Sequence, residues 1–227
     1  MTLTARTHDH LTAHHRDFKA FADAMVQSHA GRFDEVFWGF VRQHAPREVR
    51  VVVDFGTGPG LLLPDLVTRF SGARAIGVDG QPEMLVRARE LAKGRDDISV
   101  LAHDVSNGRT PGLDDASADL VIASMVLHEL QVPTTLLDEA ARILRPGGVL
   151  IVSDWVRQSL SSYAGGARPA DLDAFTHFSE HCRYTPDDVA WLVDESGFSV
   201  REWMARKNGR FILLAATRAV VDASAGS

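Results

Sequence analysis

Hydrophobic residues recur along this chain at two spacings, one typical of helices and one typical of strands. Residues 11–44 carry apolar side chains at helical spacing, with a break at His29-Ala-Gly31 and a stop at Pro46. This pattern predicts two helices. Three valines follow between Arg50 and Asp54, as expected of a strand that is buried on both faces. The chain is therefore predicted to begin with a helical segment and then to enter a sheet.

Beyond this strand, helical and strand patterns alternate. The predicted strands cover residues 75–79, 98–103, 119–124 and 149–153, and the predicted helices cover residues 61–70, 82–93, 134–144 and 186–197. Residues 199–204 and 210–216 resemble a closing pair of strands. Alternation of this kind is typical of an α/β fold in which helices cover both faces of a parallel sheet.

Residues 155–185 interrupt this alternation. About thirty residues without a clear pattern are long for a connection, and connections of that length tend to be functional. The helix that follows this segment contains Trp191, which we expect to lie in the core. The last residues, 221–227, are small and polar and are predicted to form a flexible tail.

Composition narrows the function classes. The chain has 227 residues, 45% of them hydrophobic, and a net charge of −6, so an acidic surface argues against nucleic acid as a partner. No apolar run approaches the ~20 residues that span a bilayer, and the N-terminus has no apolar leader segment. The single cysteine, Cys182, excludes an internal disulfide and a multi-cysteine zinc site. A cytoplasmic protein without a membrane partner is expected, and its oligomeric state is left open, a homodimer included.

The sharpest motif is the glycine loop that follows the first strand, Asp54-Phe-Gly56-Thr57-Gly58-Pro-Gly60. Glycines allow a tight turn and close approach of a ligand, and the following helix presents unpaired N–H groups. A dinucleotide-binding motif would need a small residue where Leu61 stands, and a P-loop would need Gly-Lys-Ser/Thr. Asp54 suits a cationic ligand such as an amino acid ammonium group. A purely structural turn remains the alternative for the loop taken alone.

Two further carboxylates end strands on the same predicted edge. Asp79 lies nineteen residues past Gly60 and is placed to accept hydrogen bonds from ribose hydroxyls. Met84, in the next helix, could cover an adenine face. Asp104, after the third strand, could reach an adenine amino group or cap a turn. Together with the glycine loop, these residues predict a nucleoside-binding crevice.

These segments in combination resemble the class I S-adenosylmethionine-dependent methyltransferases of the small-molecule type. The matching segments are VVVDFGTGPG at 51–60, GVDGQPEML at 77–85, HDV at 103–105, ADLVIASMVLHEL at 118–130 and LRPGGVLIVSDW at 144–155. The resemblance implies a Rossmann-like doubly wound, mostly parallel seven-stranded sheet with an antiparallel last strand. It also implies a helical cap at 1–46, a methyltransferase domain at 47–220 and an acceptor-side insertion at 155–185.

The resemblance also assigns roles to individual residues, with S-adenosylmethionine as the cofactor. The implied cofactor-binding residues are Asp54, Gly56, Thr57, Gly58, Gly60, Asp79, Gly80, Met84, His103, Asp104, Val105 and Ser124, the last of them near the sulfonium. The N-terminal helices are implied to form a lid over cofactor and acceptor. Phe18, Phe21, Phe37 and Trp38 would supply its apolar underside, and Arg183 and Tyr184 would belong to the acceptor pocket.

Three histidines are candidates for catalysis. His128 follows the fourth strand and would titrate near neutrality, so it is either a base or a residue that shapes the pocket. His177 and His181 lie four residues apart and share one face if the segment is helical. A contact of at least one of the pair with the acceptor, in the same cavity as His128, is the preferred interpretation. Two histidines and a carboxylate could hold iron or manganese, but no metal is predicted. His10 and His14 belong to the lid or are solvated.

The leading hypothesis is methyl transfer to the O, N or C atom of a small-molecule acceptor. The segment after Ser124 lacks the Pro-Pro-aromatic motif of enzymes that methylate amino groups of nucleobases or of protein glutamine. One alternative keeps the cofactor but performs other chemistry, such as cyclisation or decarboxylation. A second alternative is a non-catalytic module that binds S-adenosylmethionine. The identity of the acceptor does not follow from the sequence.

Overall fold

The computed structural model describes residues 17–164 and 181–219, together with residues 6, 9, 12, 175, 178 and 179. The helices are α1 Phe18–Arg32, α2 Glu35–His44, α3 Leu62–Arg69, α4 Pro82–Ala92, α5 Thr134–Ile143, α6 Leu160–Tyr163 and α7 Pro186–Glu195. The strands are β1 Val51–Phe55, β2 Arg74–Asp79, β3 Ile98–Ala102, β4 Ala118–Ser124, β5 Leu144–Trp155, β6 Phe198–Arg206 and β7 Phe211–Arg218. Short 3₁₀ turns, Val105–Asn107 and Leu127–Glu129, follow β3 and β4.

The strands form one sheet in the order β3-β2-β1-β4-β5-β7-β6. Strands β1 to β5 pair in parallel, whereas β7 is antiparallel to β5 and β6 is antiparallel to β7. The predicted α/β sheet with an antiparallel closing pair is confirmed. The strand order reverses between β1 and β4, so a crevice is expected beyond the carboxyl ends of these two strands.

Helices cover both faces of the sheet, and each face has its own hydrophobic cluster. On one face, the apolar residues of α5 and α7 pack against β4, β5 and β7. On the other face, the apolar sides of α2 and α3 pack against β1, β2 and β4. Because strands β1 and β4 are covered on both sides, their sequences are almost continuously apolar.

The break between the two N-terminal helices lies later than predicted. Helix α1 continues through Gly31 to Arg32, and α2 begins after Asp34. The Asp34 side chain accepts a hydrogen bond of 3.0 Å from the Phe37 amide, and Asp17 caps α1 in the same way through Ala20. Two carboxylate caps therefore define the helix starts, and a single glycine inside α1 is tolerated.

Two other predictions need correction. Trp191 is 61% exposed, because α7 turns Val189 and Val193 toward the core and Trp191 away from it. Strand β5 begins at Leu144 rather than at residue 149, and its pairing with β4 shifts register between Ala118 and Leu120.

The described part of the chain contains no helix with the length and apolar character that crossing a bilayer requires. The predicted tail 221–227, His177, His10 and His14 lie outside the described residues, as do most of residues 165–180. The proposed division into a cap at 1–46 and a domain at 47–220 stays a prediction.

Candidate active site

The glycine loop after β1 is held in a conformation that side chains disfavour. Gly56, Gly58 and Gly60 have φ angles of 70°, 55° and 79°. A Cβ at Gly56 would lie 2.7 Å from Val126, and one at Gly60 would lie 3.0 Å from Ala88. The loop therefore packs closely against the segment after β4 and against α4, and both contacts require glycine.

Asp79 lies at the end of β2 and holds the loop in place. Its Oδ2 accepts a hydrogen bond of 2.8 Å from the Gly58 amide, and its Oδ1 accepts one of 2.8 Å from the Gln81 amide. The residue is only half-buried. Each carboxylate oxygen has a second lone pair, so the side chain can also accept hydrogen bonds from a ligand hydroxyl.

A crevice opens beyond the carboxyl ends of β1 and β4 and has about 360 Å³ of empty space. Residues from the glycine loop, β4 and α1 line it: Met25, His29, Arg32, Phe33, Asp54, Gly56, Thr57, Pro59, Leu61, Leu62 and Ser124. Asp54, Thr57 and Ser124 are buried. Within the described part of the chain, the buried Ser124 Oγ has no hydrogen-bond partner. A ligand with a polar group at this position would satisfy it.

The electrostatics of the crevice favour a ligand with separate positive and negative groups. Burial raises the pKa of Asp54 to about 7; the neighbouring Thr57 hydroxyl opposes this effect and the charge of Asp79 adds to it. Arg32 extends from the last turn of α1. Burial lowers the pKa of Arg32, whereas the Asp154 carboxylate raises it. An arginine nevertheless stays charged at neutral pH. An ammonium group would be stabilised at Asp54 and a carboxylate at Arg32.

The α1 residues that line the crevice were not predicted from the sequence. Met25 lies over the glycine loop, since a Cβ at Gly58 would come within 2.8 Å of Met25 Cε. His29 Nε2 is 2.8 Å from an Asp65 carboxylate oxygen, which ties α1 to α3. Arg87 on α4 contacts Asp23 at 2.8 Å and attaches α1 on its other side. The signal in the sequence was limited to helical spacing, which does not reveal the orientation of α1.

The residues assigned to the adenine side surround the ends of β2 and β3. A Cβ at Gly80 would lie 3.1 Å from Asp104, so the two strand ends approach closely here. Asp104 caps the turn after β3 by accepting a hydrogen bond of 2.9 Å from Ser106, and Val105 is buried in that turn. His103 Nε2 lies 3.1 Å from the Gly108 carbonyl oxygen. Met84 is buried on α4, with an exposed fraction of 2%.

The segment after β4 forms a buried polar cluster. Met125 has a φ of 58°, a strained value for a residue with a side chain, and it turns the chain sharply. His128 Nδ1 lies 2.5 Å from Asp154 Oδ1, and Asp154 Oδ2 accepts hydrogen bonds from the Val126 and Leu127 amides at 3.2 and 2.7 Å. The last residues of β5 therefore hold the turn that carries His128.

His128 is held between two carboxylates. Its Nε2 lies 3.1 Å from Glu129 Oε1, on the opposite side of the ring from Asp154. Burial lowers the pKa of His128, but the two carboxylates outweigh this effect and raise the pKa to about 10. In this arrangement the imidazole carries its proton at neutral pH. Both ring nitrogens of His128 already face carboxylates, and its role as a general base stays a prediction.

His181 joins this cluster from the far end of the long segment. The ring centroids of His128 and His181 are 5.6 Å apart, and both side chains are buried. Arg183 Nη1 donates a hydrogen bond of 3.0 Å to the Leu130 carbonyl oxygen, and Tyr184 packs against the core cluster under α5. The structure brings His128 and His181 together in a buried cluster, whereas a shared cavity that faces the acceptor stays a prediction. His177 lies outside the described residues.

The aromatic residues of α2 that were expected beneath the lid lie in the core instead. Trp38 is 1% exposed, packs with Phe37 and lies under the Arg69 guanidinium at 4.3 Å. It therefore belongs to the core between α2 and the sheet and does not line the crevice. Phe21 is half-buried on α1, and the side chain of Phe18 lies outside the described part. The core positions of Phe37 and Trp38 correct the prediction, because α2 packs on the face of the sheet rather than over its edge.

Comparison with known proteins agrees with this geometry. Residues 53–152 match a family described as a methyltransferase domain. The chain carries a class I S-adenosylmethionine-dependent methyltransferase domain. The matched residues include β1, the glycine loop, Asp79, Asp104 and the turn that carries His128. S-adenosylmethionine is the cofactor of this methyltransferase family. The amino acid part of this cofactor carries a positive and a negative group, which complement the charges of Asp54 and Arg32 in the crevice. The Ser124 hydroxyl, which has no partner within the described residues, is compatible with a polar ligand.

Two curated relatives illustrate the range of the methyltransferase family. The chain is 38% identical over 105 residues to trans-aconitate 2-methyltransferase of Azoarcus sp.. This alignment covers 46% of this chain and 39% of that protein. It is 27% identical over 176 residues to the ubiquinone/menaquinone biosynthesis C-methyltransferase UbiE of Paracoccus denitrificans, with 70% of both chains covered. The chain spans less than half the length of the first curated relatives that it matches.

Solved structures share the methyltransferase fold over most of the chain. A SAM-dependent methyltransferase from Aquifex aeolicus superposes with a TM-score of 0.69 at 21% identity. The superposition covers 89% of this chain and 99% of that one. At this level of identity the likeness extends to the fold.

Proposed function

We propose that this protein transfers the methyl group of S-adenosylmethionine to a small-molecule acceptor and releases S-adenosylhomocysteine. The observation that carries the proposal is the crevice, in which the glycine loop, Asp54, Arg32 and the Ser124 hydroxyl meet. A zwitterionic amino acid group attached to a nucleoside has the charges that this crevice complements. The family match supplies the reaction class.

The two ends of the cofactor would be recognised by different elements. Asp79 would accept hydrogen bonds from the ribose hydroxyls, and Asp104, Val105, His103, Gly80 and Met84 would surround the adenine. Asp54 would face the ammonium group and Arg32 the carboxylate of the methionine part. Thr57 and Ser124 would lie beside the chain that joins them. Arg32 is an addition to the set proposed from the sequence, and it rests on its position in the crevice.

The bound cofactor supplies a methyl group on a positively charged sulfur, which is already activated for displacement. The remaining work of the protein is to align the acceptor with that methyl group and to exclude water. An acceptor that is nucleophilic at neutral pH needs no general base, so the protonated state of His128 is compatible with the reaction. We assign His128 to positioning, because Asp154 and Glu129 hold it in one orientation. Arg183 and Tyr184 would contribute to the acceptor wall.

The names of the relatives and the charge of the chain support a choice of acceptors to test. Trans-aconitate 2-methyltransferase is named for a small carboxylic acid, and UbiE is named for quinone biosynthesis. The net charge of −6 disfavours a nucleic acid acceptor. A small carboxylic acid or a phenolic compound is therefore the first class to test. A cytoplasmic location remains a prediction, and the oligomeric state remains open.

The test is an assay of cofactor binding and of product. Calorimetry with S-adenosylhomocysteine should detect binding, and none up to millimolar concentration would contradict the proposal. The protein should then be incubated with S-adenosylmethionine and with sets of small carboxylic acids and phenols. Release of S-adenosylhomocysteine together with a methylated product is expected. Consumption of the cofactor without this release would favour the alternative chemistry of the same fold, such as cyclisation.

A further inference from the structure

His128, Glu129 and His181 form a cluster whose chemistry the proposed methyl transfer does not require. Each residue offers one ligand atom, and these atoms all lie within 4.8 Å of one another. His128 and His181 are 4% and 7% exposed, and Glu129 is 9% exposed. Two imidazoles and one carboxylate are the donors that zinc, iron, manganese and cobalt accept in proteins. We propose that these three side chains bind a divalent transition metal ion beside the cofactor crevice.

The spacing of the donor atoms is close to that of a coordination site. Metal–ligand bonds of about 2.0–2.2 Å place the donor atoms of a tetrahedral site roughly 3.4 Å apart. His128 Nε2 and Glu129 Oε1 are already 3.1 Å apart. The widest separation would have to close by at most about 1.4 Å, which is within the reach of side-chain rotation.

The residues behind the cluster have the arrangement that supports a metal ligand. Asp154 lies 2.5 Å from His128 Nδ1, so the imidazole directs Nε2 toward Glu129. A carboxylate behind a ligating histidine fixes the ring and strengthens its donor atom. Asp154 is itself held by the Val126 and Leu127 amides and is 1% exposed. The orientation of His128 is therefore set before a metal binds.

Three protein ligands leave at least one coordination position for an oxygen atom from outside the protein, as in catalytic zinc sites. The cluster follows directly after Ser124, which lines the crevice. A bound ion would thus lie close to the predicted cofactor site. The inference rests on the geometry of the three side chains and not on the proposed reaction.

The experiment uses Co²⁺ as a probe, because four-coordinate Co²⁺ absorbs visible light and the aqueous ion absorbs only weakly. Chelator-treated full-length protein is titrated with Co²⁺ and then with Zn²⁺, which should displace it. A stoichiometric visible spectrum and a rise in the unfolding temperature with metal are expected. His181→Ala and Glu129→Gln should each weaken binding by about 100-fold or more and abolish the metal-dependent rise.

Matched controls separate this site from other histidines. His44 Nε2 also lies 3.1 Å from a carboxylate, that of Glu202, so His44→Ala removes a similar pair outside the cluster. The double variant His10→Ala and His14→Ala tests adventitious binding near the N-terminus. Both controls should keep the Co²⁺ spectrum. Circular dichroism confirms that each variant is folded.

The proposal is overturned if Co²⁺ gives no spectrum, or if folded His181→Ala and Glu129→Gln bind it as well as the unaltered protein. The cluster would then be an ion-pair network in which a proton on His128 occupies the place assigned to the metal. Failure of this test leaves cofactor binding untouched. Loss of cofactor binding with an intact Co²⁺ spectrum would instead contradict the proposed function alone.

Discussion

The Gly58 amide donates a hydrogen bond of 2.8 Å to Oδ2 of Asp79, and so joins the loop after β1 to the end of β2. Oδ1 of the same side chain accepts from Gln81 at 2.8 Å. One carboxylate thus shapes the glycine loop and presents its remaining lone pairs to the predicted ribose position. Structural and binding effects of Asp79 must therefore be separated by comparison with a residue that has only the structural role.

Asp119 supplies that comparison. It lies at the amino end of β4 and also accepts two backbone hydrogen bonds, from Arg50 and Val51 at 2.8 and 2.9 Å. Asp79→Asn and Asp119→Asn are both expected to lower the unfolding temperature. Only Asp79→Asn should weaken S-adenosylhomocysteine binding, by about 1.5–3 kcal/mol, because it loses charged hydrogen bonds to ribose. Calorimetry measures the difference, and equal affinities would remove Asp79 from the site.

Cofactor affinity should depend on pH through Asp54. Burial raises its pKa to about 7, and the groups that face it are Asp79, Arg32 and His29. A bound ammonium group stabilises the carboxylate and lowers that pKa. Affinity should therefore rise with pH up to about 7, by at most about tenfold per unit, with release of a proton. At pH below the lowered pKa of the complex, the affinity should level off.

The control for this pH dependence is Asp54→Asn, which cannot titrate. The amino group of the ligand has a pKa of its own, and its contribution persists in this variant. Calorimetry in two buffers of different ionisation enthalpy counts the protons released. The same rise with pH in Asp54→Asn as in the unaltered protein would exclude Asp54 as the titrating group.

Arg32 should discriminate between ligands with and without the amino acid part. Arg32→Ala is expected to weaken S-adenosylhomocysteine binding by about 1.5–3 kcal/mol, the range for a hydrogen bond to a charged group. Binding of 5′-methylthioadenosine, which has no carboxylate, should not change. Arg42→Ala, an exposed arginine on α2 paired with Glu35, serves as control and should affect neither ligand. An equal loss for both ligands would indicate a displaced α1 instead.

Replacement of Gly58 should weaken cofactor binding in addition to lowering the stability of the fold. Gly58 and Gly72 both have positive φ, at 55° and 85°, so alanine at either position is strained by about 1–2 kcal/mol. At Gly72 no atom lies within 4 Å of the added methyl group, whereas at Gly58 the methyl group would displace the flexible end of Met25, which lines the crevice. Only Gly58→Ala should reduce cofactor affinity, by about tenfold or more, or ~1.4 kcal/mol. Similar affinities in the two variants would contradict the assignment of the loop.

The sequence by itself determined the features that local chemistry encodes. Continuous apolar runs marked β1 and β4 as buried strands, because a strand covered on both faces needs apolar side chains at every position. Glycines in a loop of positive φ marked the turn after β1, since other residues pay a steric cost there. Asp79 and Asp104 were found because parallel strands bring their carboxyl ends to one edge of the sheet.

Only the tertiary structure decided which faces meet. Helical spacing shows that a helix has an apolar side but not where that side packs, so Trp38 entered the core and Trp191 faced solvent, contrary to expectation. The placement of Arg32 over the crevice depends on contacts of α1 with α3 and α4, which are distant in sequence. His128 and Glu129 lie close to His181 although they are distant from it in the sequence. Such contacts arise from packing of the whole chain, and no local pattern records them.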